Sequence, residues 1–431
     1  MQQKYSNYIK KLNNLFFLVA VCMLPYPTRI TLYAWVGWFI SWIFECRFLQ
    51  KNNIIWHKGL VPIIMLVVLF IWEIISYAWS IDKQDAFDMI VRHLSMLCIL
   101  PVAIWGVNEH YDWIKIAKFF ITSCVLSIFI YGLYVHILDF TPYIQKYHQL
   151  PEFVHSWSFF GDRISLFKHR LYYGTILNLA IVCLLQIRIQ QMAKNRHRKS
   201  SNTVVFLGLL LLALGIIWTG SRANMLTLLV VGAVGIIQPL RGHTRALVTS
   251  IVCVGAIVIT ALLFTMHPRF EKLDIEHITQ RNTYQTHEIE PRINIWYSAL
   301  QTPRDYLWYG VGVGGNAEYL KPVYASLHWE QFYERQYNAH NQYLGTLINL
   351  GAFGAIFFLL LWLLCPLWYN GRTQQFAVLV ALIIGLNMLT ENLLDRIDGV
   401  MITCASMLVI SLLSRAQYAK IESSHEGCTK S

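Results

Sequence analysis

Apolar residues in this chain run in long blocks and do not alternate with polar ones. Val204 to Trp218 contains no charged residue, and neither does Ala246 to Met266. Blocks of about 20 residues suit a helix crossing a hydrocarbon layer about 30 Å thick. The alternating segments of roughly ten residues that build a membrane β-barrel are absent. The pattern predicts an all-α, polytopic membrane protein with about 12 transmembrane helices. The spans fall at 12–26, 30–48, 58–78, 87–107, 115–138, 171–188, 203–219, 222–240, 245–266, 340–368, 373–390 and 397–414. Arg92 and His93 interrupt the fourth, and Pro101 sits in its last turns. Pro25, Pro62 and Pro366 fall near helix ends or first turns, where a missing N–H is tolerated.

Charge orients these spans. With the N-terminus in the cytoplasm, the inner connections and both tails hold 19 of the 35 Lys and Arg residues. The short outer connections hold only Arg29, Lys83, Arg222 and Arg396. That asymmetry is the positive-inside bias, and it predicts a multi-pass inner-membrane protein with both termini cytoplasmic. Two long segments fall on the periplasmic side: a first loop at 139–170, and a large loop at 267–339 between spans nine and ten. Loops of that length usually carry function. In the second, Ile293, Trp296 and Leu300 predict one face of an amphipathic helix over 291–302, closed by Pro303. Gly310, Gly312, Gly314 and Gly315 then imply tight turns. No internal repeat or separate soluble domain interrupts the single integral membrane domain, 1–431.

Composition adds exclusions. Hydrophobic residues make up 56% of the chain and charged residues 14%, against about a quarter charged in soluble proteins. The net charge of +11 is spread through short connections, so no nucleic-acid footprint is expected. Of nine cysteines, eight lie in or at the edge of apolar blocks and Cys428 in the tail. No disulfide framework and no CxxC metal pattern follow. Lys10 and Lys11 precede the first apolar stretch without a small-residue cleavage site, which predicts an uncleaved first helix.

Three outer positions could carry chemistry. Ser221-Arg222 joins two spans so closely that Arg222 is either an interfacial anchor or a guanidinium pointed into the bundle to grip phosphate. Arg292 opens the amphipathic segment and reads alone as an exposed cation. His340-Asn341 stands just before an apolar span, so His340 is an interfacial residue or a general base, since imidazole titrates near neutral pH. Several residues stand behind these. His169 and Arg170 line the same side or anchor the interface, and Glu391, Asp395 and Arg396 read as a local ion pair or as a further part of the site. Trp308, Trp329 and Tyr333 belong to an aromatic belt or stack on sugars.

Together these residues resemble a known family. His340-Asn341, nine residues, Gly351, two residues and Gly354 fit the pattern H-[N/S/Q]-x9-G-x-x-[G/T/Y] of the O-antigen ligases and the related O-oligosaccharyltransferases. Ser221-Arg222-Ala223 is similar to the family's S-R-G/A element. Arg292, Trp296, Pro303 and Gly310-x-Gly312-x-Gly314 resemble its R…W…P…G-x-G stretch, and Ser76 to Asp82 a W-S-x-D turn. The likeness covers roughly 200–400; the N-terminal half agrees mainly in hydropathy.

The resemblance implies transfer of a glycan from undecaprenyl pyrophosphate to lipid A–core in lipopolysaccharide biosynthesis, with membrane lipids as surroundings. Arg222 and Arg292 would bind the pyrophosphate and His340 would take the acceptor's proton, with inversion at the anomeric carbon. Asn341 would orient the imidazole or the acceptor, and Ser221, Trp296, His169 and Arg170 would help bind substrate. Gly351 and Gly354 would let a neighbouring helix approach, with Gly312 and Gly314 also structural. The chain has no DxD motif, so no metal or other cofactor is expected and guanidinium takes the metal's place. An O-antigen polymerase or protein O-oligosaccharyltransferase would share donor and motifs. A secondary transporter fits the helix count, but lacks support from a repeat or from many intramembrane charges.

Overall fold

The computed structural model describes residues 2–45, 54–149, 161, 163, 168–193, 199–238, 291–300, 307–327 and 329–429, and among these no strand occurs. In chain order the helices are α1 (Gln2–Cys22), α2 (Thr28–Phe44), α3 (Val61–Ser76), α4 (Lys83–Trp105) and α5 (Trp113–Val135). A π-helical turn, His136–Phe140, extends α5 into α6 (Thr141–Tyr147). Then come α7 (Arg170–Ala193), α8 (Lys199–Trp218), α9 (Arg222–Ile237), α10 (Pro291–Leu300), α11 (Asn316–Ser326) and α12 (Glu330–Arg335). The last are α13 (Gln342–Leu364), α14 (Gly371–Met388) and α15 (Ile397–Thr429).

Among the described residues, six helical segments are long and apolar enough to cross a membrane: Lys58–Trp79, Lys83–Trp105, Trp113–Tyr147, Arg170–Gln191, Gln342–Trp368 and Ile397–Ala419. Asn202–Trp218 and Arg222–Ile237 are shorter apolar helices. The expected span 245–266, Pro303 and much of the two long connections lie outside the described residues. The fourth expected span is one continuous helix, Lys83–Trp105, despite Arg92, His93 and Pro101. Helices here are apolar all round: α3 buries Ile63, Leu66 and Phe70 while exposing Ile71, Ile74 and Ile75. Both solvents of such a helix, protein and lipid, are apolar.

The chain divides into two compact units: 1–46 with 108–273, and 47–107 with 274–431. In the first, α1 and α2 pair around a polar triad, as Tyr111 donates to Asn13 Oδ1 at 2.5 Å and Trp38 Nε1 to Tyr111 Oη at 2.8 Å. Buried polar groups in an apolar bundle must be partnered. Helices α7 and α9 are tied by Asn224, whose Nδ2 donates to the Leu171 carbonyl at 2.8 Å and whose Oδ1 accepts from Asn178 at 3.2 Å.

In the second unit, α3 packs against α4 and α13, and α15 against α4. A distinct core of Ile295, Ala299, Val311, Leu320, Tyr324, Trp329, Ala339 and Ile348 binds α10, α11 and the start of α13 together. The sequence pattern puts Leu300 on the buried face of α10. Instead Leu300 is 70% exposed, whereas Ile295 and Ala299, one turn apart, are buried. The core-facing stripe thus runs through i, i+4 positions that small Ala299 disguises.

Candidate functional site

His340 stands in the second unit, two residues before α13. Its φ of 44° is left-handed, uncommon for a residue with a side chain. Two hydrogen bonds hold that conformation: His340 N donates to Asn338 Oδ1 at 3.1 Å, and Asn341 N to Asn392 Oδ1 at 2.8 Å. Asn341 then caps α13, its Oδ1 accepting from the Tyr343 and Leu344 amides at 3.0 and 3.2 Å. That carbonyl oxygen is committed to the helix start, so Asn341 orients its neighbour through the backbone.

The His340 ring lies edge-on to Tyr337 and places Nδ1 3.2 Å from Glu391 Oε1. The Glu391 side chain is 11% exposed and the imidazole 26%. A carboxylate only accepts, so it draws the proton to Nδ1 and leaves the Nε2 lone pair free to take another. The imidazole is thus held in one tautomer by a carboxylate. Sequence proximity pairs Glu391 with Asp395 and Arg396. In the structure it meets His340, 51 residues away.

The segment carrying Glu391 is itself anchored. The Leu394 amide donates to Gln342 Oε1 at 2.8 Å. Asp395 Oδ2 accepts from Asn338 Nδ2 at 2.8 Å and from Asn392 Nδ2 at 3.0 Å. Asn338 thus holds the His340 amide with its oxygen and Asp395 with its nitrogen. Crowding by protein pushes the Asp395 carboxyl up to about 6 from 3.8, an effect larger than the lowering by its two amide donors. Because the folded state raises this value, the fold binds an extra proton between the two, and stability falls as pH rises through that window. Ionisation then costs up to about 3 kcal/mol. Asp395→Asn keeps both bonds, with its carbonyl oxygen in place of Oδ2. Thermal melts in detergent should show wild type losing stability between pH 3.8 and about 6, and the variant losing less. Equal losses would assign the pH effect elsewhere.

Gly310 to Gly315 form a loop wedged between two other elements. The Val311 and Gly312 amides donate to the Ile348 and Asn349 carbonyls at 2.8 and 2.9 Å. On the other side Ser80 Oγ donates to the Val313 carbonyl at 2.8 Å, and Val313 N to Ser76 Oγ at 3.0 Å. The Ser76–Asp82 turn is therefore a dock for this loop. Gly312 and Gly314 sit where a Cβ would strike the backbone of Ser80 and Ala86. Because several of its amides are spent on protein partners, the loop reads as a strut and not a phosphate cradle.

Gly351 breaks α13, with φ 70° and ψ −172°. The motif leads one to expect a neighbouring helix here. What approaches is the backbone of Trp308 and Tyr309, which a Cβ would strike, and Ala352 N donates to the Leu307 carbonyl at 2.6 Å. Gly354 is buried beside Leu350 of its own helix.

Arg292 lies half-buried in the first turn of α10, one turn before Ile295 and Trp296, which seat the helix on the core reaching Ala339. Trp296 packs on that core, as do Tyr337 and the buried Trp329, while Trp308 and Tyr333 are exposed.

The remaining candidates lie in the first unit. Ser221 caps α9, accepting from Asn224 Nδ2 at 3.0 Å, and Arg222 is the first helical residue. His169 and Arg170 begin α7, with His169 edge-on to Tyr172. Since Asn224 binds the Leu171 carbonyl, the starts of α7 and α9 lie at the same end of the pair. Helices α7, α9 and α10 each carry an arginine in the first turn and have no acidic residue there. A cation there opposes the helix dipole, whereas an anion bound there satisfies both dipole and guanidinium.

Residues 207–359, roughly a third of the chain, match the family model described as O-antigen ligase. A search of curated proteins finds no match.

Proposed function

Because residues 207–359 match the O-antigen ligase family, we infer that the chain is a membrane glycosyltransferase that moves a glycan from undecaprenyl pyrophosphate to lipid A–core on the periplasmic side of the inner membrane. The observation that carries this reading is the His340–Glu391 pair, 3.2 Å apart and directly before a span, with His340 inside the family match.

His340 Nε2 takes the proton from an acceptor hydroxyl as its oxygen attacks the anomeric carbon. The bond from that carbon to the pyrophosphate oxygen breaks, and undecaprenyl pyrophosphate leaves with the electron pair. Displacement from the opposite face inverts the anomeric centre. Arg292 grips the leaving group with a planar fork that matches phosphate oxygens, and the motif gives Arg222 the same role. The role of each rests on its motif and its place at a helix start without acidic neighbours.

The test is transfer by purified protein from lipid-linked glycan to lipid A–core. Arg222→Ala and Arg292→Ala should each lose at least about 10²-fold in rate, the scale of one transition-state anion contact. Activity should persist in EDTA without nucleotide; strict metal dependence would overturn the guanidinium role. In cells, loss of a ligase leaves full-length glycan on the carrier and bare core. Core bearing a single repeat would instead identify a polymerase.

A further inference from the structure

Two spans of the second unit bury an ionisable pair that belongs to none of the sequence motifs. Glu73 of α3 and His93 of α4 meet at 2.7 Å, their side chains 8% and 2% exposed. Ionisable residues inside spans are costly and are kept where they do something. The second ring nitrogen, His93 Nε2, lies 2.9 Å from the Leu394 carbonyl. A carbonyl only accepts, so Nε2 carries a proton, and Glu73 and Nδ1 share the other. The pair is net neutral in either arrangement, and Glu73 fixes which nitrogen faces Leu394. The preceding residue repeats the contact: Arg92 NH1 donates to the Asp395 carbonyl at 2.6 Å. Consecutive side chains of α4 therefore hold consecutive carbonyls of one short segment. On its far side that segment presents Glu391 to His340 Nδ1 and Asn392 Oδ1 to the Asn341 amide.

We propose that Arg92 and His93, with His93 set by Glu73, are positioning residues for His340 and act through the backbone of Leu394 and Asp395. The clamp fixes where Glu391 meets the imidazole and so fixes the angle of Nε2. It touches neither donor nor acceptor. This rests on His340 being the base.

Replacing a buried pair with apolar residues of similar volume commonly leaves stability intact or raises it. The test is Glu73→Leu with His93→Phe in one chain, assayed for kcat, for KM of the lipid-linked donor, and by thermal melt in detergent. We expect an unchanged melt, an unchanged KM and kcat lower by about 10²-fold, the scale of a misplaced reacting group. Glu73→Gln should stay within about threefold of wild type, because its amide still reaches Nδ1 and can donate there, leaving the proton on Nε2. In a Glu391→Ala background the double substitution should cost little further, because the contact it protects is already gone. If the double variant fails to insert, the half-exposed Arg92→Gln takes its place, with the same loss of kcat and the same suppression expected. Unchanged kcat, or losses that multiply with Glu391→Ala, would overturn the clamp alone. Full transfer by His340→Ala would overturn the base assignment and the clamp with it.

Discussion

Glu391→Gln is expected to cut glycan transfer by about 10²- to 10⁴-fold while KM for the donor holds, and His340→Ala to match or exceed that loss. The pair sits at 3.2 Å with the carboxylate largely buried. An amide at 391 can offer Nδ1 a hydrogen just as well as an acceptor. Offered a hydrogen, Nδ1 becomes the acceptor and the proton moves to Nε2, where the acceptor hydroxyl needs a lone pair. The geometry survives and the tautomer is wrong. Glu391→Ala should therefore be less damaging than its nearly isosteric relative, since a water can accept from Nδ1. Equal activity of Glu391→Gln and wild type, measured as initial rates of transfer, would remove the carboxylate from the mechanism.

Gly351→Ala should be strongly destabilising, on the order of 5 kcal/mol from strain and lost hydrogen bonds together. The combination φ 70°, ψ −172° belongs to glycine, and forcing a side chain into such a region costs roughly 1–3 kcal/mol. A Cβ there also strikes the Trp308 carbonyl. Relief of that contact would pull the 307–312 loop from α13, with the amide bonds of Val311, Gly312 and Ala352 at stake, each worth about 1 kcal/mol. Gly371 supplies the control. Its φ is also positive, at 54°, but nothing lies within 4 Å of its added Cβ, so Gly371→Ala should cost about 1 kcal/mol. Melting temperature and the yield of detergent-stable protein separate the two. Similar losses at both glycines would mean that strain alone, without the docked loop, sets the cost.

The two substitutions probe different links of one chain of cause. The Gly351 break lets the 307–312 backbone pair with Ile348 and Asn349, and the same loop docks on Ser76 and Ser80 at the end of α3. Helix α3 also carries Glu73, and α4 carries Arg92 and His93. The His340 segment is thus held by α3 and α4, whose Glu73, Arg92 and His93 belong to none of the sequence motifs.

The all-helical, membrane-spanning character is legible in the linear pattern. Blocks of apolar residues set by hydrocarbon thickness coincide with described helices from Lys58–Trp79 through Ile397–Ala419. Short motifs at Arg222, at Arg292 and at His340 with its spacing to Gly351 and Gly354 also pointed to the region that matches the O-antigen ligase model, because each motif is local. The linear sequence misjudged the buried face of α10, where Ala299 carries too little side chain to register in a hydrophobic pattern. Which polar groups meet is settled by the packing of distant segments. Glu391 reads as a local ion pair with its neighbours or as a further part of the site until His340 is brought to it from 51 positions away. His93 reads as an interruption until Glu73, 20 positions back, neutralises it. Period and composition report the solvent around each helix, lipid or protein. They carry no term for the partner that a buried charge must find across the bundle, and that partner is what turns an apolar scaffold into a site.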